Sequence, residues 1–255
     1  MKRIITANVN GIRAAERKGF FAWMKDQNAD VVCVQEIKAQ EDQLDDKFYP
    51  KDIYTYYKPA DRKGYSGTGI YCKQKPDQVI FSLWEDFDFE GRFIQADFGN
   101  LSVISIYIPS GSAKQERQDY KMAFMTERFM PYLEELQKNG REYIICGDIN
   151  IVHKKIDIKN FNGNKNRSGC LPEERAWLDQ LFGKVGFIDA FREINQEANQ
   201  YTWWSNRGQA WANNTGWRID YHILSANLKG TPQRAEIYKD ERFSDHSPLI
   251  IDYDL

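Results

Sequence analysis

The stretch that decides the fold is Phe93–Pro109, FIQADFGNLSVISIYIP. Two β-branched, apolar runs, Phe93–Phe98 and Leu101–Ile108, are separated only by Gly99-Asn100. That pair suits the positive φ angles of a two-residue hairpin turn. A hairpin makes the two strands antiparallel, whereas a doubly wound parallel sheet needs a crossover of a dozen residues or more between neighbours. Working outward, Ile4–Val9, Asp30–Gln35, Thr68–Cys72, Tyr143–Cys146, Arg218–Leu224, Ala235–Tyr238 and Pro248–Tyr253 read as further strands. Runs such as DVVCVQ are apolar on both alternations, as in strands covered on both faces. Helical spacing marks Tyr120–Leu136 and the segment around Phe20–Met24, and Pro172 opens a helix to Leu181 at a tolerated first-turn position. The expectation is an α/β fold, with mixed sheets faced by helices in a layered sandwich.

No linker, repeat or low-complexity tract interrupts the 255 residues, so one domain, 1–255, is expected. Apolar residues make up 42% and charged residues 28%, which excludes disordered, fibrous and membrane-embedded classes. The N-terminal MKRIITANVNG is broken by Thr6, Asn8 and Asn10 before a secretory h-region can form, so residence in the cytoplasm is expected (with the nucleoid, if the source is bacterial). Cys33, Cys72, Cys146 and Cys170 lie far apart without a CxxC pair, so free buried thiols are expected rather than zinc or disulfides. A net charge of −2, from 35 basic and 37 acidic residues, gives no general attraction to nucleic acid. It leaves room for a basic face around an acidic centre.

The polar residues that interrupt the apolar runs carry the chemistry. Asn8 and Asn10 end the first strand, Glu36 the second, and Tyr107 lies near the end of the strand before Pro109. Asp148 and Asn150 follow YIICG, Asp220 lies within GWRIDY, and Asp245-His246 precede the last strand. Any one Asp or Asn at a strand exit is ordinary turn chemistry. Several acids and amides with a His and a Tyr, all where strands emerge, point instead to a ligand-facing group. Converging carboxylates repel and need a cation. Oxygen donors without a zinc-spaced Cys or His pair suit Mg²⁺, with Mn²⁺ as a substitute, and Mg²⁺ beside Asp, Asn and His suits hydrolysis of a phosphate ester.

From end to end the chain resembles the exonuclease III family of apurinic/apyrimidinic endonucleases, within the endonuclease/exonuclease/phosphatase superfamily. The segments that carry the resemblance are TANVNGIRA (6–14), DVVCVQEIKAQ (30–40), GYSGTGIY (64–71), EGRFIQADF (90–98), SVISIYIPSGS (102–112), CGDINI (146–151), LPEER (171–175), YTWWSNRGQAW (201–211), GWRIDYHILS (216–225) and FSDHSPL (243–249). The resemblance implies a four-layered α/β sandwich of two packed mixed β-sheets flanked by helices. It also implies that Glu36 ligates the metal with support from Asn8, Asn10 and Asp245. Asp148 would orient and deprotonate water, Asn150 hold phosphate or that water, His246 pair with Asp220, and Tyr107 hydrogen-bond the phosphate. Asn10 departs from relatives that carry Asp there.

The implied substrate is duplex DNA with abasic sites or blocked 3′ ends, cut 5′ to the abasic sugar to leave a 3′-hydroxyl and a 5′-deoxyribose phosphate by a monomeric enzyme. Trp203, Trp217 and Ile219 match the family's small apolar pocket, which rejects a nucleotide that still carries its base. Trp204 is divided between core and surface. Arg13 and Lys38 flank the metal residues, and Arg167 lies in the amide-rich NGNKNRS loop (162–168), so all three are candidate DNA contacts, as are the loops 61–67 and 110–114. Gly169 leaves room for continuous duplex and ranks an endonuclease ahead of a 3′→5′ exonuclease or 3′-phosphatase. A sphingomyelinase or inositol-phosphate phosphatase lacks support, since neither membrane-facing apolar loops nor a highly basic pocket is evident. A non-catalytic DNA-binding domain would have lost the metal ligands, and every expected polar position is filled.

Overall fold

In strand β1 (Lys2–Asn8), Ile4 and Ile5 belong to two different hydrophobic layers, and this alternation builds the molecule. The same holds for β2 (Val31–Gln35), where Val31 and Cys33 face one layer and Val32 and Val34 the other. The structure is a computed structural model that describes residues 1–255. After β3 (Tyr54–Lys58) and β4 (Thr68–Cys72) come β5 (Gln78–Ile80), β6 (Phe93–Phe98), β7 (Leu101–Tyr107) and β8 (Glu142–Asp148). Short strands β9 (Ile188–Asp189), β10 (Trp203–Trp204) and β11 (Gly216–Trp217) precede β12 (Asp220–Leu224), β13 (Pro232–Ile237) and β14 (Leu249–Tyr253). One six-stranded sheet runs β13-β14-β1-β2-β4-β3 and the other β5-β6-β7-β8-β12-β9, while β10 and β11 form a separate pair.

Both large sheets are mixed. β1–β2 and β7–β8 pair parallel and all their other pairings are antiparallel. The hairpin read from the sequence closes as expected, with Phe98 opposite Leu101 across Gly99-Asn100. Ile4, Cys33, Ile94, Val103, Cys146 and Ile251 fill the space between the sheets. Helices α1 (Ile12–Arg17) and α2 (Phe20–Gln27) cover the outer face of the first sheet through Ile12, Phe20 and Trp23. On the second sheet, α3 (Gln115–Ala123), α4 (Met130–Leu136) and α6 (Pro172–Asp179) bury Phe124, Leu133 and Trp177 against Ile104 and Ile145. Short helices α5 (Phe161–Asn164) and α7 (Ala190–Ile194) complete the set. The result is helix, sheet, sheet, helix: the four-layered sandwich expected. All four cysteines are free and buried.

Two segments differ from the sequence reading. The helix expected over Tyr120–Leu136 starts five residues earlier and widens at Phe124–Phe129, where Met130 N–H bonds to Met125 O. Pro131 explains the widening, because its ring crowds the carbonyl four residues back and it has no N–H to give. The strand expected at Arg218–Leu224 starts two residues later, at Asp220, with Arg218 and Ile219 linking it to β11.

Candidate active site

The ends of β1, β2, β7 and β8 lie at one edge of the sandwich. The parallel registers set Asn8 beside Gln35 and Tyr107 beside Asp148, and the antiparallel return of β12 sets Asp220 opposite Asp148. The chain turns sharply there. Asn10, Glu36, Lys38 and Asn150 all have φ between 42° and 55°, which is uncommon for residues with a side chain and concentrates at functional sites. The turns are over-determined: Gly11 N–H bonds to Glu36 O at 2.8 Å, Ile37 N–H to Gly67 O at 3.1 Å and Lys38 N–H to Ser66 O at 2.9 Å.

Glu36, Asp148 and His246 bring ligand atoms within 4.8 Å of one another. Asn8, buried between the two acids, donates its amide to Glu36 at 2.8 Å and to Asp148 at 2.9 Å. Its carbonyl oxygen already accepts Asn10 N–H at 3.0 Å. Asn8 therefore spaces the two carboxylates with its amide, and its oxygen is turned to the Asn10 backbone. Asn10 donates to Asp245 at 2.8 Å and accepts from Lys38. Asp245 is further engaged by Ser244 Oγ and Trp203 Nε1. Glu36, Asp148 and His246 thus form a candidate cation cluster, with Asn8, Asn10 and Asp245 hydrogen-bonded around it.

Asp148 Oδ1 accepts Asn150 N–H at 2.8 Å, and its Oδ2 lies 3.8 Å from His246 Nε2. The other imidazole nitrogen, Nδ1, meets Asp220 Oδ2 at 2.8 Å. Burial works against charge on His246, but Asp220 and then Asp148 outweigh it and push its pKa up to about 10. Burial, reinforced by Asp220 and Glu36 against the pull of His246, pushes Asp148 up to about 8. Glu36 goes the other way: burial raises it, yet Lys38, 2.7 Å away, brings it below its ordinary value. Burial and the neighbouring Glu36 keep Tyr107 a neutral hydroxyl. Arg92 fixes that ring from behind, with its guanidinium 4.5 Å from the ring centre and a 2.9 Å bond to Tyr107 O.

A cleft of about 1070 Å³ opens over these groups. Trp203, Trp217 and Ile219 line it, with the two indoles edge to face at 5.9 Å. Arg167, Lys114 and Arg207 supply cations on its walls, the basic rim that a net charge of −2 conceals. Arg13 is exposed on α1, outside the cleft lining, and Lys38 bonds to Glu36 and Asn10. The loop 61–67 lies away from the cleft, its Tyr65 receiving Arg117. Gly169 is required by its own backbone: φ is +89°, and a Cβ there would sit 3.0 Å from Trp217 and 3.1 Å from Asn150 O. Trp204 is core.

Sequence reasoning missed Thr202, whose buried hydroxyl receives the N–H groups of Ile219 and Asp220 and so ties the pocket to Asp220. It also missed the burial of Arg218. Alternation turns that guanidinium inward to Asp157 at 2.8 Å and Asp189 at 2.6 Å, while its neighbours Trp217 and Ile219 face the cleft.

The family model described as "Endonuclease/Exonuclease/phosphatase family" matches residues 5–246. The chain is 40% identical over 250 residues to a Bacillus subtilis (strain 168) protein named Exodeoxyribonuclease, covering 97% of both. It is 35% identical over 254 residues to "DNA repair nuclease APEX1" of Danio rerio, covering 98% of this chain and 81% of that one. Among solved structures, an AP endonuclease from Archaeoglobus fulgidus superposes over the whole of both chains with a TM-score of 0.89 and 26% identity.

Proposed function

The chain belongs to the endonuclease/exonuclease/phosphatase family, and from that premise we propose a magnesium-dependent DNA-repair endonuclease that hydrolyses the phosphodiester 5′ to an abasic site. The observation that carries the reading is the convergence of Glu36, Asp148 and His246 beside a pocket of Trp203, Trp217 and Ile219. The oxygen-rich cluster fits a hard divalent cation, with Mn²⁺ able to replace Mg²⁺. Held by Glu36 with Asp148 in reach, the ion would supply Lewis-acid stabilisation of charge on the phosphate.

This chain's own groups do the rest. Asp148, at the floor of the cleft, takes the proton of the attacking water. The P–O3′ bond breaks, leaving a 3′-hydroxyl and a 5′-deoxyribose phosphate. Asn150 holds the water or a phosphate oxygen. His246, kept protonated by Asp220, and the Tyr107 hydroxyl donate to nonbridging oxygens where charge grows. The indoles and Ile219 enclose a sugar without a base, and steric exclusion turns away intact nucleotides. Four free thiols support residence in a reducing cytoplasm.

The name of the Bacillus subtilis relative, Exodeoxyribonuclease, supports removal of nucleotides from DNA ends as a second activity of the same centre. Gel assays of an abasic duplex and a 3′-recessed duplex, with Mg²⁺ and with EDTA, test both. Metal-dependent incision at the abasic site is expected. Scission undiminished in EDTA, or equal cutting of a tetrahydrofuran and a normal nucleotide, overturns the reading.

A further inference from the structure

Lys121 on α3 and Glu174 on α6 form an ion pair at 2.6 Å in which both side chains are completely buried. One oxygen of Glu174 receives Lys121 and, at 3.0 Å, the amide of Gln118. The other receives two backbone N–H groups, Gly169 at 2.6 Å and Leu171 at 3.0 Å. The Lys121 ammonium also donates to Asn150 O at 2.8 Å. A capping role at the start of α6 accounts for the Leu171 bond alone. It leaves the Gly169 bond, the burial and the lysine unexplained.

The connections run into the site from both sides. Asn150 binds Asp148 through its backbone N–H and through its side-chain amide. Gly169 O receives Val152 N–H at 2.8 Å, and the Gly169 backbone lies under Trp217. Arg167, Ser168, Gly169 and Leu171 line the cleft. Gln118 also lines the cleft, where a Cβ on Gly111 would collide with its carbonyl and with Ser168 Oγ. A buried ion pair contributes little net stability compared with apolar replacements, so its use here argues for fixed geometry.

We propose that Glu174 and Lys121 are positioning residues, a single buried ion pair that locks the 166–171 cleft loop to the Asn150 turn and so keeps the sugar pocket in register with Asp148. The assignment rests on the reading of the cleft as an abasic-site pocket.

The test compares wild type, E174Q, K121M and the double variant K121M/E174M, which strands no charge. The substrates are one duplex with tetrahydrofuran and the same duplex with a normal nucleotide. In folded variants, kcat on the tetrahydrofuran duplex should fall about tenfold or more, with KM changed much less, since small misplacements of reacting groups carry costs of that order. Preference for tetrahydrofuran over the normal nucleotide should narrow in parallel. Folded variants that keep the wild-type preference overturn the coupling, whether or not rates fall together. In wild type, the Gly169 and Leu171 amides should exchange with deuterium as slowly as those of β8, and free-loop exchange overturns the assignment even where variants fail to fold. Wild type that shows no preference for tetrahydrofuran defeats the reading of the pocket instead.

Discussion

Replacing Asp220 by Asn keeps the shape of the His246 partner and removes its charge. Asp220 Oδ2 lies 2.8 Å from His246 Nδ1, with both side chains buried. The charge centres of such a pair are about 4 Å apart, and at an effective dielectric of about 20 their interaction is about 4 kcal/mol. At 1.36 kcal/mol per unit, that is about three units of pKa. His246, at about 10 in the metal-free protein, should therefore titrate at about 7 in D220N. The assay is an NMR titration of the imidazoles in EDTA. The chain has three histidines, and His153 and His222 are both shifted down, so the alkaline titration identifies His246. The sign carries over to stability. A raised folded pKa stabilises the native state below the unfolded value of about 6.5, and that contribution disappears as pH rises towards 10. D220N should thus lose at most about 4 kcal/mol at pH 6 and progressively less in alkali. A His246 pKa that moves by less than about one unit, where about three are expected, refutes the electrostatic account.

Three further outcomes follow from the same geometry. Asp148, raised to about 8, holds a proton that the unfolded chain releases near 4, so its contribution is stabilising in acid and lost as pH rises through 8. Because cation binding needs the deprotonated carboxylate, Mg²⁺ should raise Tm more at pH 8.5 than at pH 6. Differential scanning fluorimetry at both pH values checks this, and a gain independent of pH contradicts it. D148N should lower kcat on an abasic duplex by about 10²- to 10⁴-fold, and E36A should abolish incision, both with unchanged near-UV circular dichroism. Full activity in either removes its role. R218M leaves the Asp189 carboxylate without its buried cation, while Asp157 keeps Arg192 at 2.7 Å, and should cost about 3 kcal/mol in urea unfolding. Wild-type stability in that variant would show the pair to be dispensable.

Much of the architecture was legible because strands covered on both faces are apolar throughout and stop at polar residues. That single signal located Asn8, Glu36, Tyr107 and Asp148 together, since parallel pairing brings like ends side by side. What stayed hidden were choices between chemically equal uses of one residue type. Lys121 stands among the polar residues of a helix, and only the fold reveals that α6 closes over it. Arg13 and Arg218 both neighbour motif residues, yet one is exposed on a helix and the other alternates into the interior. Asn8 was readable as a polar strand end, but whether its amide or its oxygen faced the acids depended on Asn10 N–H taking the oxygen.

The histidines make the same point about charge. His222 and His246 are both almost wholly buried, so burial alone would drive both neutral. His222 finds only the Tyr253 hydroxyl at 2.8 Å, no partner for its second nitrogen, and falls to about 3. His246 has Asp220 on one nitrogen and Asp148 near the other, and rises to about 10. The difference is the number of carboxylates in reach, which the sheet register sets by placing Asp220 opposite Asp148. The charge on this imidazole thus depends on strand pairing. A shift of β12 by one residue along β8 would turn Asp220 to the other face of the sheet and leave Asp148 and Asp245 alone to favour the charged form of His246.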